Sequence, residues 1–384
     1  MRDHSTAATV IENARLIRDG AVVHGRLAIA AGRVVEPDVL PADAERLDAR
    51  GALVLPGIVD VHGDAFERQI MPRKGVTVDL GIGLLDSDRQ LTANGITTAF
   101  HGITVSWEPG LRGRDNAGAL IRTLWHLRPR LGCDTRLHLR WETFALDAEA
   151  DVARWLRLEP RPILAFNDHT TGMANRDARA RGDDQKSAAR AGIGIGDYRA
   201  RLAAAWARRA EVPAAVARLA AAARAAGATL LGHDERSPEE RAYYRGLGAT
   251  AAEFPVTPET ALAARAAGEH TILGAPNVLR GGSHCGAMDA APAVQAGLCT
   301  VLATDYYYPA PLHAVFRLVR DGRCSLAEAW ALVSAHPAEV VGLTDRGRLV
   351  PGQRADVVWV DDGDPALPRV LRTMVAGRSV HVGV

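Results

Sequence analysis

The chain has 384 residues, of which 47% are hydrophobic and 24% are charged, as in ordinary globular enzymes. This composition excludes intrinsic disorder and fibrous structure, and the net charge of +1 predicts neither a nucleic-acid nor a membrane partner. The apolar run Ala52–Val61 is too short to span a membrane, and the start MRDHSTAATV lacks an apolar signal core. The four cysteines show no CxxC spacing, which argues against a disulfide framework or a thiolate metal site. We therefore expect a cytoplasmic protein.

Both ends of the chain carry short β-type runs that are interrupted by turn residues. Ala8–Asp48 includes ATVIENARLI and GAVVHGRLAIAAGRVV, and Gly347–Val384 includes GRLVPGQRADVVWVDDG and VLRTMVAGRSVHV. This pattern is typical of hairpins. We expect residues 1–51 and 346–384 to form one small β-sandwich domain, and residues 52–345 to form a second domain.

Between the two ends, apolar runs alternate with helix-patterned stretches. The runs are Leu53–Val61, Thr97–Ile103, Thr135–Trp141, Pro162–Phe166, Thr229–Leu231, Ala251–Phe254, Thr271–Leu273 and Thr300–Ala303. Short apolar strands separated by helices predict an α/β fold, a (β/α)8 barrel of the TIM type. A doubly wound open sheet is the alternative, although no GxGxxG follows the first run. Thr170–Gly227 is too long for one barrel helix, so we expect an inserted hairpin followed by the helix.

Active sites of such barrels lie at the carboxyl ends of the strands, and five runs end in metal-ligand residue types. The endings are VDVHGD, RLHLRWE, LAFNDH, LLGHDE and VLATD. Histidine nitrogens and carboxylate oxygens at one rim suit one or two divalent ions. Because side chains alternate along a strand, two polar sets are expected to face the mouth: His62 with Asp64, and His138 with Arg140 and Glu142. Val61 is expected to turn outward.

These endings, with HxD on the first strand and an aspartate on the last, resemble the amidohydrolase superfamily of metal-dependent barrel hydrolases. The tail AHPAEVVGL and GRLVPGQRADVVWVD is similar to that superfamily as well. RLHLRWE, FNDHTTG, GHDE, AEFPVT, GAPNVLRGGSHCG and TDYYYPA resemble one branch, the α-D-ribose 1-methylphosphonate 5-triphosphate diphosphatases of the phosphonate carbon–phosphorus lyase pathway. The motif HGDAFER departs from that branch at Gly63 and Ala65, where the branch carries Thr and Asn. We expect a different pocket floor there.

The resemblance also implies a set of metal ligands. Many superfamily members bridge two metals with a carboxylated lysine, but Lys74 and Lys186 are the only lysines and neither ends a barrel strand. The resemblance implies that Glu142 replaces it. The implied ligands are His62, Asp64, Glu142, His169, His233 and Asp305, with His138 as an alternative to one of them. We expect zinc, with manganese or iron as alternatives, at one or two positions.

The resemblance further implies a reaction, the hydrolysis of ribose 1-methylphosphonate 5-triphosphate to its 5-phosphate and pyrophosphate. A metal-bound water is a usable nucleophile near neutral pH, and Asp305 is the candidate general base. The partner is then a small phosphorylated sugar, and a homodimer is left open. A polyanionic substrate needs local cations. The residues expected to bind it are Arg68, His138, Arg140, Arg280 and His284.

Two other hypotheses stay open. The same kind of metal site serves carbon centres, so the chain could be an amidohydrolase or deaminase that acts on a cyclic amide or amidine. Arginines at the rim favour phosphate over that substrate class. A non-catalytic scaffold barrel is the third hypothesis, and the intact set of ligand residue types, Asp305 included, argues against it. Metal analysis would separate an enzyme from a scaffold.

Overall fold

The computed structural model describes residues 8–18, 20–175, 182–283 and 286–383, and its strands form two eight-stranded sheets. In chain order the strands are β1 (Thr9–Arg18), β2 (Ala21–Ala30), β3 (Arg33–Val35), β4 (Glu45–Asp48), β5 (Leu53–Pro56), β6 (Ile58–Gly63), β7 (Ile96–Val105), β8 (Asp134–Glu142), β9 (Ile163–Asn167), β10 (Thr229–His233), β11 (Ala251–Glu253), β12 (His270–Gly274), β13 (Val301–Ala303), β14 (Val357–Asp361), β15 (Arg369–Val375) and β16 (Arg378–Val382).

Helices follow or separate the strands from β6 onward. They are α1 (Phe66–Ile70), α2 (Leu80–Ala93), α3 (Arg114–Leu127), α4 (Glu149–Trp155), α5 (Thr170–Ala174), α6 (Gly182–Ala191), α7 (Ile195–Ala207), α8 (Val212–Ala226), α9 (Pro238–Gly246), α10 (Pro258–Ala266), α11 (Ala275–Arg280), α12 (Ala290–Gln295), α13 (Ala310–Arg320), α14 (Leu326–Ala331) and α15 (Ala335–Val340). None of the helices in the described ranges is both long enough and apolar enough to cross a membrane.

The strands β6 to β13 form the barrel. They pair in chain order, and every neighbouring pair is parallel. A parallel bridge from Gly63 to Asp305 joins the last strand to the first. The backbone N–H of Thr304 also donates to the Asp60 carboxylate at 2.9 Å across this seam. The predicted (β/α)8 barrel is confirmed, and the open sheet is excluded.

Side-chain alternation along β8 is as predicted. Leu137, Leu139 and Trp141 pack in the apolar cluster beneath the helices, so the polar residues between them face the barrel interior. On β6 the prediction that Val61 turns outward is wrong, because Val61 belongs to the apolar cluster that fills the barrel. The register between β6 and β7 shifts between Asp60 and Gly63. An extra residue of this kind breaks the alternation locally.

The other sheet is built from both ends of the chain, as predicted. Its order is β16-β15-β14-β5-β1-β2-β3, with β4 paired to β1, and it has its own apolar cluster. The run predicted as one strand from Leu53 to Val61 is two strands: β5 belongs to this terminal sheet and β6 to the barrel. The chain crosses at Gly57, where an added Cβ would lie 2.2 Å from the Thr97 hydroxyl oxygen. The division into domains at residues 51/52 and 345/346 stays a prediction.

The segment Thr170–Gly227 holds more than one helix, in line with its length. Helices α6 and α7 pack against each other, α5 packs on α7, and α8 lies against α4 and β10 as a barrel helix. Arg190 on α6 donates to Glu108 at 2.8 Å, and the Trp107 indole N–H donates to the Thr170 hydroxyl at 2.8 Å. These bonds attach the inserted helices to the loop that follows β7, on the side of the barrel mouth.

Candidate metal centre

Three groups of three potential metal ligands lie at the carboxyl ends of the barrel strands. Within each group, one ligand atom of every member lies within 4.8 Å of the others. The first ligand group is His62, Asp64 and Asp305, and the second ligand group is His169, His233 and Asp234. The third group, His62, His138 and Glu253, is completely buried and shares His62 with the first. Five of the six ligands predicted from the sequence are in these groups. Asp234 was not predicted, although it follows His233 directly in the motif LLGHDE.

The first ligand group is fixed by backbone hydrogen bonds between the ends of β6 and β13. The Asp305 N–H donates to the His62 carbonyl at 2.9 Å, and the Asp64 N–H donates to the Asp305 carbonyl at 2.9 Å. Asp305 has a φ of +53°, a conformation that costs free energy in a non-glycine residue. The surrounding bonds hold this conformation, which places an aspartate where the barrel seam meets the mouth.

The second ligand group is an ionic cluster. The Nε2 atoms of His169 and His233 each lie 3.5 Å from an Asp234 carboxylate oxygen. Burial disfavours the charged form of His169, but its hydrogen bonds to Asp234 and Glu142 outweigh this and raise its pKa to about 9. Burial opposes ionisation of Asp234 as well, yet the two histidines keep its pKa below the usual range. A divalent ion at this group would have to displace the His169 proton.

Glu142 lies behind His169. Its carboxylate accepts hydrogen bonds from the Thr170 hydroxyl at 2.7 Å, the Thr170 N–H at 3.0 Å and His169 Nδ1 at 3.1 Å. Burial raises the pKa of Glu142, and these bonds together lower it below its usual value. In this structure both Glu142 oxygens accept hydrogen bonds from His169 and Thr170. The role of Glu142 as a bridge between two metal ions, which the resemblance implied, stays a prediction.

Glu253 at the end of β11 connects the histidines, and the sequence analysis missed it. One oxygen lies 2.8 Å from His62 Nδ1, and the other lies 2.6 Å from His233 Nδ1 and 3.6 Å from His138 Nε2. Burial disfavours the carboxylate form, but the three histidines hold the pKa of Glu253 well below its usual range. The available signal was an acid near the end of the apolar run Ala251–Phe254.

His138 is a buried neutral imidazole. Burial lowers its pKa to about 3, and its Nδ1 lies 2.9 Å from the Val61 carbonyl, to which it donates. Its Nε2 therefore carries a lone pair, and it has no hydrogen-bond partner among the described residues. An unpartnered imidazole nitrogen beside Glu253 fits a site that accepts a cation.

Two arginines approach the first ligand group. Arg140 is 6% exposed, and its guanidinium donates to Asp64 at 3.0 Å while its Nε has no partner among the described residues. Arg112, which the sequence analysis missed, lies 3.7 Å from Asp64 and is held by Glu67 at 2.7 Å. Burial raises the pKa of Asp64, but the two arginines outweigh it and the net shift is downward.

Two other residues predicted to bind substrate, Arg68 and Arg280, are exposed. Arg68 is exposed on α1, and its guanidinium donates to the Tyr306 carbonyl at 2.5 Å, next to Asp305. Arg280 is exposed at the end of α11 and makes no hydrogen bond or ion pair in the part of the chain that the structure describes. His284 lies outside the described residues.

Sequence and structure comparisons identify the family. A family model described as "Amidohydrolase family" matches residues 271–381. The α-D-ribose 1-methylphosphonate 5-triphosphate diphosphatase of Escherichia coli (strain K12) is 30% identical over 364 residues, which cover 91% of this chain and 94% of that protein. The chain belongs to the amidohydrolase family. Membership of this family makes the protein a hydrolase.

Two further comparisons describe how this amidohydrolase relates to others. An adenine deaminase of Methylobacterium nodulans is 26% identical over 387 residues, which cover 98% of this chain and 59% of that protein. The crystal structure of an amidohydrolase that is 15% identical matches with a TM-score of 0.65 and covers 98% of this chain and 100% of that one. The structural match supports the fold alone.

The residues of this amidohydrolase fit divalent metal ions. Each ligand group combines imidazole nitrogen with carboxylate oxygen, the donor set that zinc and related ions prefer. His138 Nε2, which has no hydrogen-bond partner among the described residues and lies 3.6 Å from a Glu253 oxygen, offers a further lone pair.

Gly63, at which the chain departs from the diphosphatase branch, leaves no open space. A Cβ added there would lie 2.5 Å from the Thr304 hydroxyl oxygen and 2.6 Å from an Asp60 carboxylate oxygen. Burial raises the pKa of Asp60, although the Thr304 hydroxyl donates to it at 2.6 Å. The side chains of Asp60 and Thr304 thus occupy the space that a side chain at position 63 of this amidohydrolase would need.

Proposed function

We propose that this amidohydrolase cleaves a phosphoanhydride bond of a ribose 5-triphosphate, ribose 1-methylphosphonate 5-triphosphate being the first candidate. The observation that carries the proposal is the pair Arg140 and Arg112 beside Asp64, which places two guanidinium groups next to a ligand group. A polyphosphate requires such cations, and guanidinium binds phosphate oxygens in a bidentate manner. The 30% identity with the E. coli diphosphatase over nearly the whole chain supports the same substrate class.

The two ligand groups would hold one or two divalent ions, with zinc as the first candidate. Held by these residues, such an ion would supply a water of lowered pKa and Lewis-acid polarisation of a phosphoryl oxygen. Asp305, a member of the first ligand group, is proposed as the general base that takes a proton from the attacking water. The water oxygen forms a bond to the phosphorus nearest the ribose. The bond from that phosphorus to the bridging oxygen breaks, and pyrophosphate leaves with the electron pair.

The arginines would hold the charge of the substrate at three depths. Arg140 lies deepest, Arg112 lies beside it, and Arg68 lies outside both, next to Tyr306. When Asp64 binds a cation, part of its charge is shared, and the two inner guanidinium groups gain capacity for phosphate oxygens. Arg280, which is exposed, is proposed as an outer contact, and substrate binding by His284 stays a prediction from the sequence. A cytoplasmic location and a homodimer stay predictions from the sequence.

The alternative function is hydrolysis of a cyclic amide or amidine. It is supported by the 26% identity with an adenine deaminase, and it uses the same two ligand groups. A neutral substrate of this kind gains nothing from arginines at the rim. Dependence of turnover on Arg280 therefore separates the two hypotheses.

The deciding experiment measures pyrophosphate release from ribose 1-methylphosphonate 5-triphosphate by metal-loaded protein, alongside turnover of adenine and a lactam. We expect pyrophosphate release. For the triphosphate, Arg280→Ala should lower kcat/KM about 10-fold or more, since a hydrogen bond to a charged group contributes about 1.5–3 kcal/mol. Arg320→Ala, an exposed arginine on α13, is the control and should leave kcat/KM unchanged. Turnover of a lactam or adenine without pyrophosphate release would overturn the proposal.

A further inference from the structure

Glu253, a member of the third group, contacts one histidine of the first ligand group and one of the second. Its two oxygens are 2.8 Å from His62 Nδ1 and 2.6 Å from His233 Nδ1, and the side chain is completely buried. The two imidazole rings are stacked with centroids 5.5 Å apart and planes 17° apart. One carboxylate therefore faces the same nitrogen of two nearly parallel rings.

This contact decides which nitrogen of each ring carries hydrogen. An ionised carboxylate accepts hydrogen bonds and donates none, so both Nδ1 atoms must be the N–H donors. In the neutral ring the lone pair then lies on Nε2. His233 Nε2 is the atom that lies 3.5 Å from Asp234 in the second ligand group. By the same argument, His62 has Nε2 left for the first ligand group.

The residue after Glu253 fixes the orientation of both rings. The Phe254 ring packs edge-on against His62 and His233, with centroids 4.8 Å and 5.3 Å apart. Phe254 has a φ of +53°, and its N–H donates to the Ile272 carbonyl at 2.9 Å. A bulky residue in this conformation is held there by its surroundings. The end of β11 thus supplies the Glu253 carboxylate as hydrogen-bond acceptor and the Phe254 ring as an apolar packing surface for both histidines.

We propose that Glu253 is a positioning residue that sets the same tautomer in His62 and His233, so that each ring presents Nε2 to a different metal-binding group. The inference rests on the proposed metal centre. A carboxylate behind a metal-binding histidine orients the ring and increases its basicity, and its loss costs about 10- to 100-fold in metal affinity. Here one carboxylate serves two rings, which couples the two ligand groups.

Glu253→Gln tests this because an amide has one acceptor and one donor side. It can accept the Nδ1–H of one ring, but its NH2 requires a lone pair on Nδ1 of the other ring, whose Nε2 then carries the hydrogen. We expect that ring to change tautomer in long-range 1H–15N spectra of metal-free protein at alkaline pH. In calorimetric titration with Zn2+, one group should lose about 10- to 100-fold in affinity.

Two further variants serve as the comparison. Glu253→Asp keeps an acceptor-only carboxylate, so both rings should keep the wild-type tautomer even if affinity falls. Glu235→Gln removes another fully buried carboxylate, one that pairs with Arg241 at 2.9 Å instead of a histidine, and should leave both tautomers unchanged. The inference is overturned if wild-type His62 or His233 carries hydrogen on Nε2, or if Glu253→Gln keeps both tautomers. If wild-type protein shows the expected tautomers but binds no metal, the proposed metal centre fails and the assignment of Glu253 as the tautomer-setting residue stands.

Discussion

At the scale of single residues, Gly63 shows how a missing side chain is replaced from elsewhere in the chain. The Asp60 carboxylate and the Thr304 hydroxyl occupy the volume next to its Cα and bond to each other at 2.6 Å. The Thr304 N–H donates to the same carboxylate at 2.9 Å. This arrangement closes the barrel seam directly below the first ligand group, so glycine at this position has a packing reason that is independent of substrate.

Gly63→Ala should therefore destabilise the fold. The added Cβ would lie within 2.6 Å of two buried oxygens, and overpacking of this kind costs about 1–3 kcal/mol. Chemical denaturation of metal-free protein measures the free energy of unfolding. Gly196→Ala on α7, where nothing lies within 4 Å of the added Cβ, should be neutral or stabilising by up to about 1 kcal/mol. Equal stability of both variants would contradict the packing argument.

The candidate ligands at the strand ends could be predicted because the ends of parallel barrel strands meet at one rim. His62, His169, His233 and Asp305 follow from that rule, and the structure places His62 and Asp305 with Asp64 in the first ligand group and the other two in the second. Glu253 could not be found in the same way, because its importance depends on the two rings that face it. Glu253 on β11 reaches His62 on β6 only when the barrel is closed. The metal-binding roles of all these residues stay predictions.

Arg112 was missed for a different reason. It lies in a short turn after β7 and reaches Asp64 through a guanidinium that Glu67 holds at 2.7 Å. Strand-end patterns say nothing about the path of a loop. Sequence analysis could therefore place Arg140, which lies on a strand, and could not place its neighbour.

At the scale of elements, the boundary between β5 and β6 was not predictable from hydrophobicity. Both strands are apolar and buried, so the pattern runs without a break from one sheet into the other. What separates them is the position of Gly57 against Thr97, a long-range contact. The terminal sheet and the barrel themselves were predictable, because turn residues and helix-length spacers recur along the chain.

The start of helix α5 is tied to two strands by one hydroxyl group. Thr170 Oγ1 donates to Glu142 at the end of β8 and accepts from the Trp107 indole beyond β7. Thr170 is completely buried, and its neighbour His169 is a member of the second ligand group. The Thr170 hydroxyl therefore links Trp107 to Glu142, and Glu142 in turn contacts His169. We infer that this network helps to position His169.

Thr170→Val keeps the shape of the side chain and removes this hydroxyl. Glu142 would lose its 2.7 Å bond, and we expect metal affinity at the second ligand group to fall about 10-fold, the effect typical of a lost supporting contact. Competition with a chelator of known affinity measures it. Thr171→Val, whose hydroxyl bonds to the exposed Asp168, is the matched control and should bind metal as wild type does. Unchanged affinity in Thr170→Val would show that the network does not position His169.

At the scale of the whole molecule, buried charges join the C-terminal segment to the base of the barrel. Arg346 donates to Asp134 at the start of β8 at 2.7 Å and to Thr98 on β7 at 2.8 Å. Arg354 continues the network to Asp356 at the start of the last three strands, at 2.9 Å. The terminal sheet is thereby attached to the barrel by ion pairs as well as by apolar packing.

Asp134→Asn should loosen this attachment in a pH-dependent way. Burial raises the pKa of Asp134, but Arg136 and Arg346 outweigh it and lower the pKa to about 2. A folded pKa below the unfolded value of about 3.9 contributes about 2–3 kcal/mol of stability, present above about pH 5 and lost as the pH falls toward about 2. Urea denaturation at about pH 7 should show Asp134→Asn less stable than wild type by this amount, and at about pH 2 the difference should nearly vanish. Asp43→Asn, at an exposed loop aspartate, should match wild type at both values. If the stability difference stayed constant across this pH range, the contribution of Asp134 would come from its shape and hydrogen bonds. Its negative charge would then not contribute to the attachment of the terminal sheet to the barrel.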